Sequence, residues 1–143
     1  TSYVLTQTRY AWQLLQRSEF ARADSLLRSA ERLSGQLNYP YGLQQTLYYV
    51  ALGQYFRDRP APALAALKRA QQLVNQHHFP ARDAQMVLSV LGVVYFELHQ
   101  YETSLRHYLA AVRLTEQHGL TFRITPAYLG VGNVLRAMGK HDV

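Results

Sequence analysis

The chain has no cysteine, which excludes disulfide bonds, thiolate zinc sites and cysteine nucleophiles. It has no apolar run near the roughly 18 residues of a membrane span. Its first residues, TSYVLTQTRYAWQ, lack the basic start and apolar middle of a signal peptide. We therefore expect no membrane contact by this segment. Because the chain begins at Thr1, we expect a piece of a longer protein, whose flanks would decide between cytoplasm and periplasm.

Acidic residues are also scarce, since Lys and Arg minus Asp and Glu give 15 − 9 = +6. The cations are scattered, with never more than two in a row, as on a solvated surface. Nucleic-acid binding through these dispersed arginines is therefore only a weaker alternative. The few carboxylates never pair at a spacing suited to acid–base catalysis, so we expect no enzymatic activity in this segment.

What the chain does contain is a repeat. QLNYPYG, QHHFPAR and QHGLTFR begin at residues 36, 76 and 117, so they are spaced by 40 and then 41 residues. The small residues Ala11, Ala51, Gly92 and Gly132 keep nearly the same period. A chain of 143 residues that is 48% hydrophobic can bury one core. We therefore predict a single domain over 1–143, with repeats over 1–38, 39–78, 79–119 and a half-repeat over 120–143.

Each half-repeat has the period of a helix. Segments 88–98 and 104–114 place apolar residues at steps of three and four, which predicts seven antiparallel helices of about 15 residues. Gly92 should let neighbouring helices approach while Tyr108 fills the space beside it. Prolines suit the first helical turn, so Pro40 and Pro60 should open helices and Thr125-Pro126 should start the last one.

Segment 91–111 resembles the tetratricopeptide repeat. Leu91-Gly92-Val93-Val94-Tyr95 matches the Leu-Gly-x2-Tyr of the first helix, and Ser104, Tyr108 and Ala111 match the second helix with Ser for Ala. The first two repeats keep only alanine at the glycine position. The resemblance implies an all-α, right-handed α–α superhelix that binds proteins or peptides. The longer period resembles repeats of bacterial signalling proteins, including two-component sensor histidine kinases and transcriptional regulators.

The adjacent histidines of QHHFPAR could suggest half of a metal site. However, His78 aligns with Asn38 and Gly119 at a position typical of a left-handed helix cap. His77 aligns with His118 and is expected in the last turn of a helix. We therefore predict no metal and no cofactor. GVGN (130–133) is interpreted as helix, with Gly132 as a packing glycine rather than part of a phosphate loop.

A binding function should use the concave face, lined by the first helix of each pair. The predicted face suits a peptide or partner helix with an apolar side, with an acidic end near Arg136, rather than a small-molecule substrate. Each of the residues named next could equally belong to the hydrophobic core. The predicted contacts are Trp12, Tyr48, Leu52, Tyr55, Ser89, Val93, Phe96, Asn133 and Arg136. Leu15 is expected on the same face. Thr8 and Leu129, one turn before Trp12 and Asn133, are expected there as well.

An alternative function is a structural spacer or dimerisation scaffold without a groove ligand. Val131, Leu135 and Met138 on the last helix should lack half their cover. We therefore expect self-association through the open C-terminal repeat at high concentration.

Overall fold

The computed structural model describes residues 2–119 and 124–139, with only the backbone for 124–126. Contacts divide the chain into two compact units, 1–78 (unit 1) and 79–143 (unit 2). Every regular element in the described residues is an α-helix of 14 to 18 residues, which confirms the all-α repeat fold and the predicted number of helices. Unit 1 contains α1 (Ser2–Gln16), α2 (Phe20–Gln36), α3 (Pro40–Phe56) and α4 (Pro60–Gln76). Unit 2 contains α5 (Ala81–Glu97), α6 (Tyr101–His118) and α7 (Ile124–Ala137).

In unit 1 each helix packs against the next, and α1 also contacts α3. This is the arrangement expected when helix pairs stack on one another. The small residues Ala11 and Ala51, 40 residues apart, are fully buried. The second helices repeat the same pattern, because each of their corresponding positions is buried: Ala23, Leu27 and Ala30 in α2, and Ala63, Leu67 and Ala70 in α4. Burial therefore follows the period found in the sequence.

In unit 2 the ring of Tyr108 on α6 packs against two glycines. A Cβ built at Gly92 of α5 would lie 2.8 Å from the Tyr108 ring, and one built at Gly130 of α7 would come closer still. The Ser104 hydroxyl donates a hydrogen bond of 2.6 Å to the Gly92 carbonyl, so α5 and α6 approach closely at this point. The predicted role of Gly92 is confirmed. For Gly132 of α7 the predicted packing role stays a prediction, because among the described residues a Cβ there would meet only the Arg136 guanidinium, at 3.9 Å.

Four of the turns between helices have a left-handed residue that is not glycine. Their φ angles are 60° at Ser18, 49° at Asn38, 59° at Asp58 and 60° at His99. In each turn the next amide donates to the carbonyl five residues earlier, as from Glu19 to Leu14 at 2.9 Å. This six-to-one bond is the mark of a Schellman cap, which satisfies the carbonyls left unpaired at a helix end. The predicted left-handed caps at Asn38 and Gly119 are confirmed.

The junction of α4 with α5 differs from these turns, and the prediction for its histidines was wrong. α4 ends at Gln76, and His77 is extended, with φ −128° and ψ 160°. His78 is not among the residues with positive φ. The amide of His77 donates to the Leu73 carbonyl and the chain then leaves the helix. QHHFPAR therefore crosses the boundary between the two units instead of forming another tight cap.

The helix starts predicted at prolines agree with the structure to within two residues. Pro40 and Pro60 begin α3 and α4, as expected from the fixed φ of proline and its missing amide proton. Pro80 precedes the first residue of α5. α7 begins at Ile124, two residues before the predicted start, so Pro126 lies inside its first turn. Among the described helices, none is long and apolar enough to cross a membrane.

Candidate binding surface

Five aromatic rings form a connected group on α1 and α3 of unit 1. Trp12 lies 5.8 Å from Tyr49 and 5.9 Å from Phe56 between ring centroids. Tyr48 meets Tyr49 edge-on at 5.3 Å, and Tyr55 lies 6.1 Å from Phe56. We call these residues, Trp12, Tyr48, Tyr49, Tyr55 and Phe56, the aromatic cluster. Four are half-buried and Phe56 is 43% exposed, so the cluster combines packed edges with surface open to solvent.

The position of the cluster follows from the sequence of α3, which is apolar on nearly every side. Such a helix is covered by several neighbours, and α3 packs against α1, α2 and α4. Tyr49 and Phe56 lie two turns apart on the side of α3 that faces α1, where they enclose Trp12. The side chain of Trp12 also packs against the core cluster of Leu14, Leu15 and Ala23. Trp12 is therefore partly core and partly surface.

The contacts predicted for unit 1 divide into partly exposed residues, whose binding role stays a prediction, and core residues. Trp12, Tyr48, Leu52 and Tyr55 are all half-buried on α1 and α3. Two residues expected beside them are instead core, because Leu15 and Thr8 are each only 2% exposed. Leu15 packs over Gly53, where a Cβ would lie 3.0 Å from Leu15 Cδ2. Tyr49 and Phe56 were missed, although they flank Leu52 at the helical steps of three and four.

A charged pair fixes the end of α3 beside the cluster. The Arg57 guanidinium donates two hydrogen bonds of 2.8 Å to the Asp24 carboxylate and one of 3.0 Å to the Gly53 carbonyl. It also lies 4.9 Å from the centroid of the Phe20 ring. The hydrogen bond to Asp24 raises the pKa of Arg57 above its ordinary value. Because Arg57 joins α3 to α2, it holds the two repeats of unit 1 in register.

Positive charge is concentrated in unit 1. Its sequence has nine Lys and Arg and four Asp and Glu, so 9 − 4 = +5, whereas residues 79–143 give 6 − 5 = +1. Three of the four acids in unit 1 form ion pairs: Glu19 with Arg22, Asp24 with Arg57, and Glu31 with Arg69. Arg9 is exposed on α1, one turn before Trp12. The net charge of unit 1 therefore favours an anionic ligand over a cationic one.

The predicted contacts of unit 2 lie on α5 and α7, which touch each other. On α5, Ser89, Val93 and Phe96 are half-buried. Ser89 accepts a hydrogen bond of 3.3 Å from the Gln85 amide, and Phe96 lies 5.5 Å from the Tyr101 ring. On α7, the predicted Asn133 and Arg136 are exposed and bond to each other, while Leu129 is 61% exposed. Whether these residues and the aromatic cluster form one groove stays a prediction.

His107 of α6 and His99 in the turn before it make structural contacts. His107 stacks on Tyr95 at 5.2 Å, and its Nδ1 lies 2.7 Å from the Thr103 carbonyl. His99 Nδ1 lies 2.7 Å from the Tyr101 hydroxyl. In the described part of the chain, no group of three or more histidine, aspartate and glutamate side chains is placed to hold a metal ion.

Comparison with known proteins adds no family assignment. No protein-family description matches the chain, and no curated protein is significantly similar to it. The likeness to tetratricopeptide repeats therefore still depends on the residues of 91–111 and on the repeat spacing.

Proposed function

We propose that this chain is a protein- or peptide-binding helical-repeat module, and that it serves as a regulatory part of a larger bacterial signalling protein such as a sensor histidine kinase. The observation that carries the binding proposal is the aromatic cluster. Its rings are fixed by neighbours yet remain partly open to solvent, as in surfaces that bind with little loss of side-chain entropy. The signalling context comes only from the resemblance of the long repeats.

The ligand that fits best is a peptide or helix with an apolar face and an acidic flank. Aromatic side chains and Leu52 provide the apolar contact, and the exposed cation of Arg9 lies on the same side of α1 as Trp12. Aromatic residues with a nearby arginine are the residue types that dominate binding energy at protein interfaces. The acidic flank would be attracted by the charge of unit 1, so binding should weaken as salt increases.

The test is selection of peptides from a displayed random library on the whole chain, followed by affinity measurement with variants. Leu52→Asp places a charge beside the aromatic cluster and should abolish binding of the selected peptides. Leu37→Asp is the matched control, because Leu37 is 48% exposed at the end of α2, away from the cluster. The triple variant Tyr48→Ala, Tyr55→Ala, Phe96→Ala removes rings from both units at once. If circular dichroism shows that Leu52→Asp and the triple variant are folded, and both still bind the peptides unchanged, a spacer or scaffold role replaces the proposal.

A further inference from the structure

The five rings of the aromatic cluster form a single row across α1 and α3. In the order Tyr48, Tyr49, Trp12, Phe56, Tyr55, the centroids of the four neighbouring pairs are 5.3, 5.8, 5.9 and 6.1 Å apart. The ring planes of these pairs are tilted by 38° to 77°, so no ring covers the face of its neighbour in a parallel stack. Both ends of the row lie on α3, seven residues apart, which is about 10 Å along the helix axis.

Leu52 lies between the two ends of the row. It follows Tyr48 by four residues and precedes Tyr55 by three, the steps that put side chains on one side of a helix. All three residues are half-buried. The row and Leu52 therefore form one apolar surface that is partly open to solvent and long enough for about three residues of an extended peptide.

The indole of Trp12, at the middle of the row, carries a hydrogen-bond donor. Within the described residues its N–H donates to no acceptor, and its nitrogen keeps contact with solvent. A ligand that covers this donor should therefore bring an acceptor to it. The carbonyls of a helical peptide are already bonded within the helix, whereas those of a peptide in the polyproline II conformation are free.

We propose that the aromatic cluster binds a proline-rich peptide in the polyproline II conformation with an acidic residue beside its prolines, an assignment that rests on the proposed binding function and narrows its ligand. Pyrrolidine rings pack on aromatic faces, and a polyproline II peptide has its conformation before it binds, so it loses little entropy. Three of its residues advance about 9 Å. Two prolines three residues apart therefore match the ends of the row.

The acidic residue follows from charge complementarity. Unit 1 has a net charge of 9 − 4 = +5. Arg9 is exposed on α1 one turn before Trp12, and it forms no ion pair within the described residues. Two polyproline II residues advance about 6 Å, so an acidic side chain one or two positions from the residue that crosses Trp12 would reach this cation. A lysine at that position would be repelled.

An amphipathic helix fits the same surface less well. It would cover the apolar rings and Leu52, but its backbone has no free carbonyl for the Trp12 N–H once water is excluded. A donor that loses water without gaining an acceptor weakens binding. The two ligand classes therefore differ in whether they need the indole N–H.

The test is isothermal titration calorimetry of the whole chain with an end-blocked peptide of two glutamates followed by eight prolines. We expect saturable binding. A peptide with two lysines in place of the glutamates should bind more weakly, and this difference should shrink in Arg9→Ala protein. The ligand control is a peptide of glutamate, leucine and alanine that has the same net charge and forms an amphipathic helix, and it should bind about tenfold more weakly or less.

Variants of the row locate the site. Trp12→Phe keeps a ring in the row but removes the N–H donor, so it should weaken binding of the proline peptide by roughly two- to tenfold. Phe56→Leu keeps an apolar side chain at an exposed position but interrupts the row, and it should also weaken binding. Tyr3→Leu is the matched control, because Tyr3 is 64% exposed on α1 and lies outside the row. Circular dichroism checks that each variant is folded.

Three results would overturn the assignment of a proline-rich ligand. They are equal affinity of folded Trp12→Phe and unsubstituted protein for the proline peptide, binding of the helical control as tight as that of the proline peptide, and no binding of the proline peptide at millimolar protein. If library-selected peptides still bind and remain sensitive to Leu52→Asp, the proposed binding function stands and only its ligand class is wrong. If the selected peptides also fail to bind, both proposals fail.

Discussion

Tyr108 and Gly130 are in direct contact across the α6–α7 interface, and the phenol ring occupies the space where any other residue at 130 would place its Cβ. We predict that Gly130→Ala destabilises unit 2 by about 1–3 kcal/mol, the usual cost of overpacking. Gly132→Ala should instead leave stability unchanged or raise it by up to about 1 kcal/mol, because alanine favours the helix and meets no close neighbour. Urea unfolding of the two variants measures both effects. Equal effects of the two substitutions would contradict the packing described for Tyr108.

The left-handed turns give a second prediction. Asp58 has φ 59°, a conformation that costs a non-glycine residue roughly 1–2 kcal/mol, so Asp58→Gly should raise the free energy of unfolding by up to about that amount. His78→Gly is the control, because His78 is not left-handed and glycine there only adds freedom to the unfolded chain. Thermal unfolding should show a higher midpoint for the first variant alone. A stabilising His78→Gly would restore the original expectation of a left-handed cap at that residue.

Two ion pairs of unit 1, Arg57–Asp24 and Arg69–Glu31, should differ in how much they stabilise the fold. The side chains of Arg57 and Asp24 are 15% and 29% exposed, and removing Arg57 leaves a partly buried carboxylate without its partner. Arg57→Ala should therefore destabilise unit 1 by about 1–3 kcal/mol. Arg69→Ala breaks a longer pair, 3.5 Å, with side chains 54% and 39% exposed, and should cost under about 1 kcal/mol. Denaturant midpoints of the two variants measure this difference. If Arg69→Ala lowered the free energy of unfolding as much as Arg57→Ala, side-chain exposure would not determine how much an ion pair contributes to stability.

Tyr128 should titrate above an ordinary tyrosine. Its hydroxyl donates to the Glu116 carboxylate, and this hydrogen bond, with partial desolvation and the negative charge of Glu116, raises the pKa of Tyr128. Because the folded-state pKa is raised, the contribution to stability is full below the unfolded pKa of about 10 and is lost as pH rises through the folded value. Carbon-13 NMR of labelled tyrosine rings should show this shift, and Glu116→Gln should reduce it. An identical Tyr128 titration in the Glu116→Gln protein would remove the hydrogen bond as its cause.

The repeat period was readable from the sequence because small residues at helix contacts tolerate little variation in size. Ala11 and Ala51 keep that period, and both are fully buried. The glycines of α7 show the limit of alignment. Gly132 follows the period, but its role depends on a helix that would lie over it, whereas Gly130 contacts the helix before it. Spacing alone does not say which side of a helix is covered.

The candidate surface was partly predictable for a similar reason. Helical periodicity identified Trp12, Tyr48, Leu52 and Tyr55 on α1 and α3. It could not show that Tyr49 encloses Trp12, because that contact depends on how closely the two helices approach. The α4–α5 junction was misread because QHHFPAR shares residue types with a capped turn, while the backbone at His77 is extended.

The most direct test of the proposed binding function uses the only tryptophan of the chain. Trp12 lies within the aromatic cluster, so its emission reports on that surface. The test is a tryptophan-free peptide, selected on the whole chain and titrated against it while Trp12 fluorescence is recorded. We predict a saturable shift of Trp12 emission with the same midpoint as binding, preserved in Leu37→Asp and lost in Leu52→Asp. Tight binding that leaves Trp12 emission unchanged and is insensitive to Leu52→Asp would contradict the assignment of the binding surface.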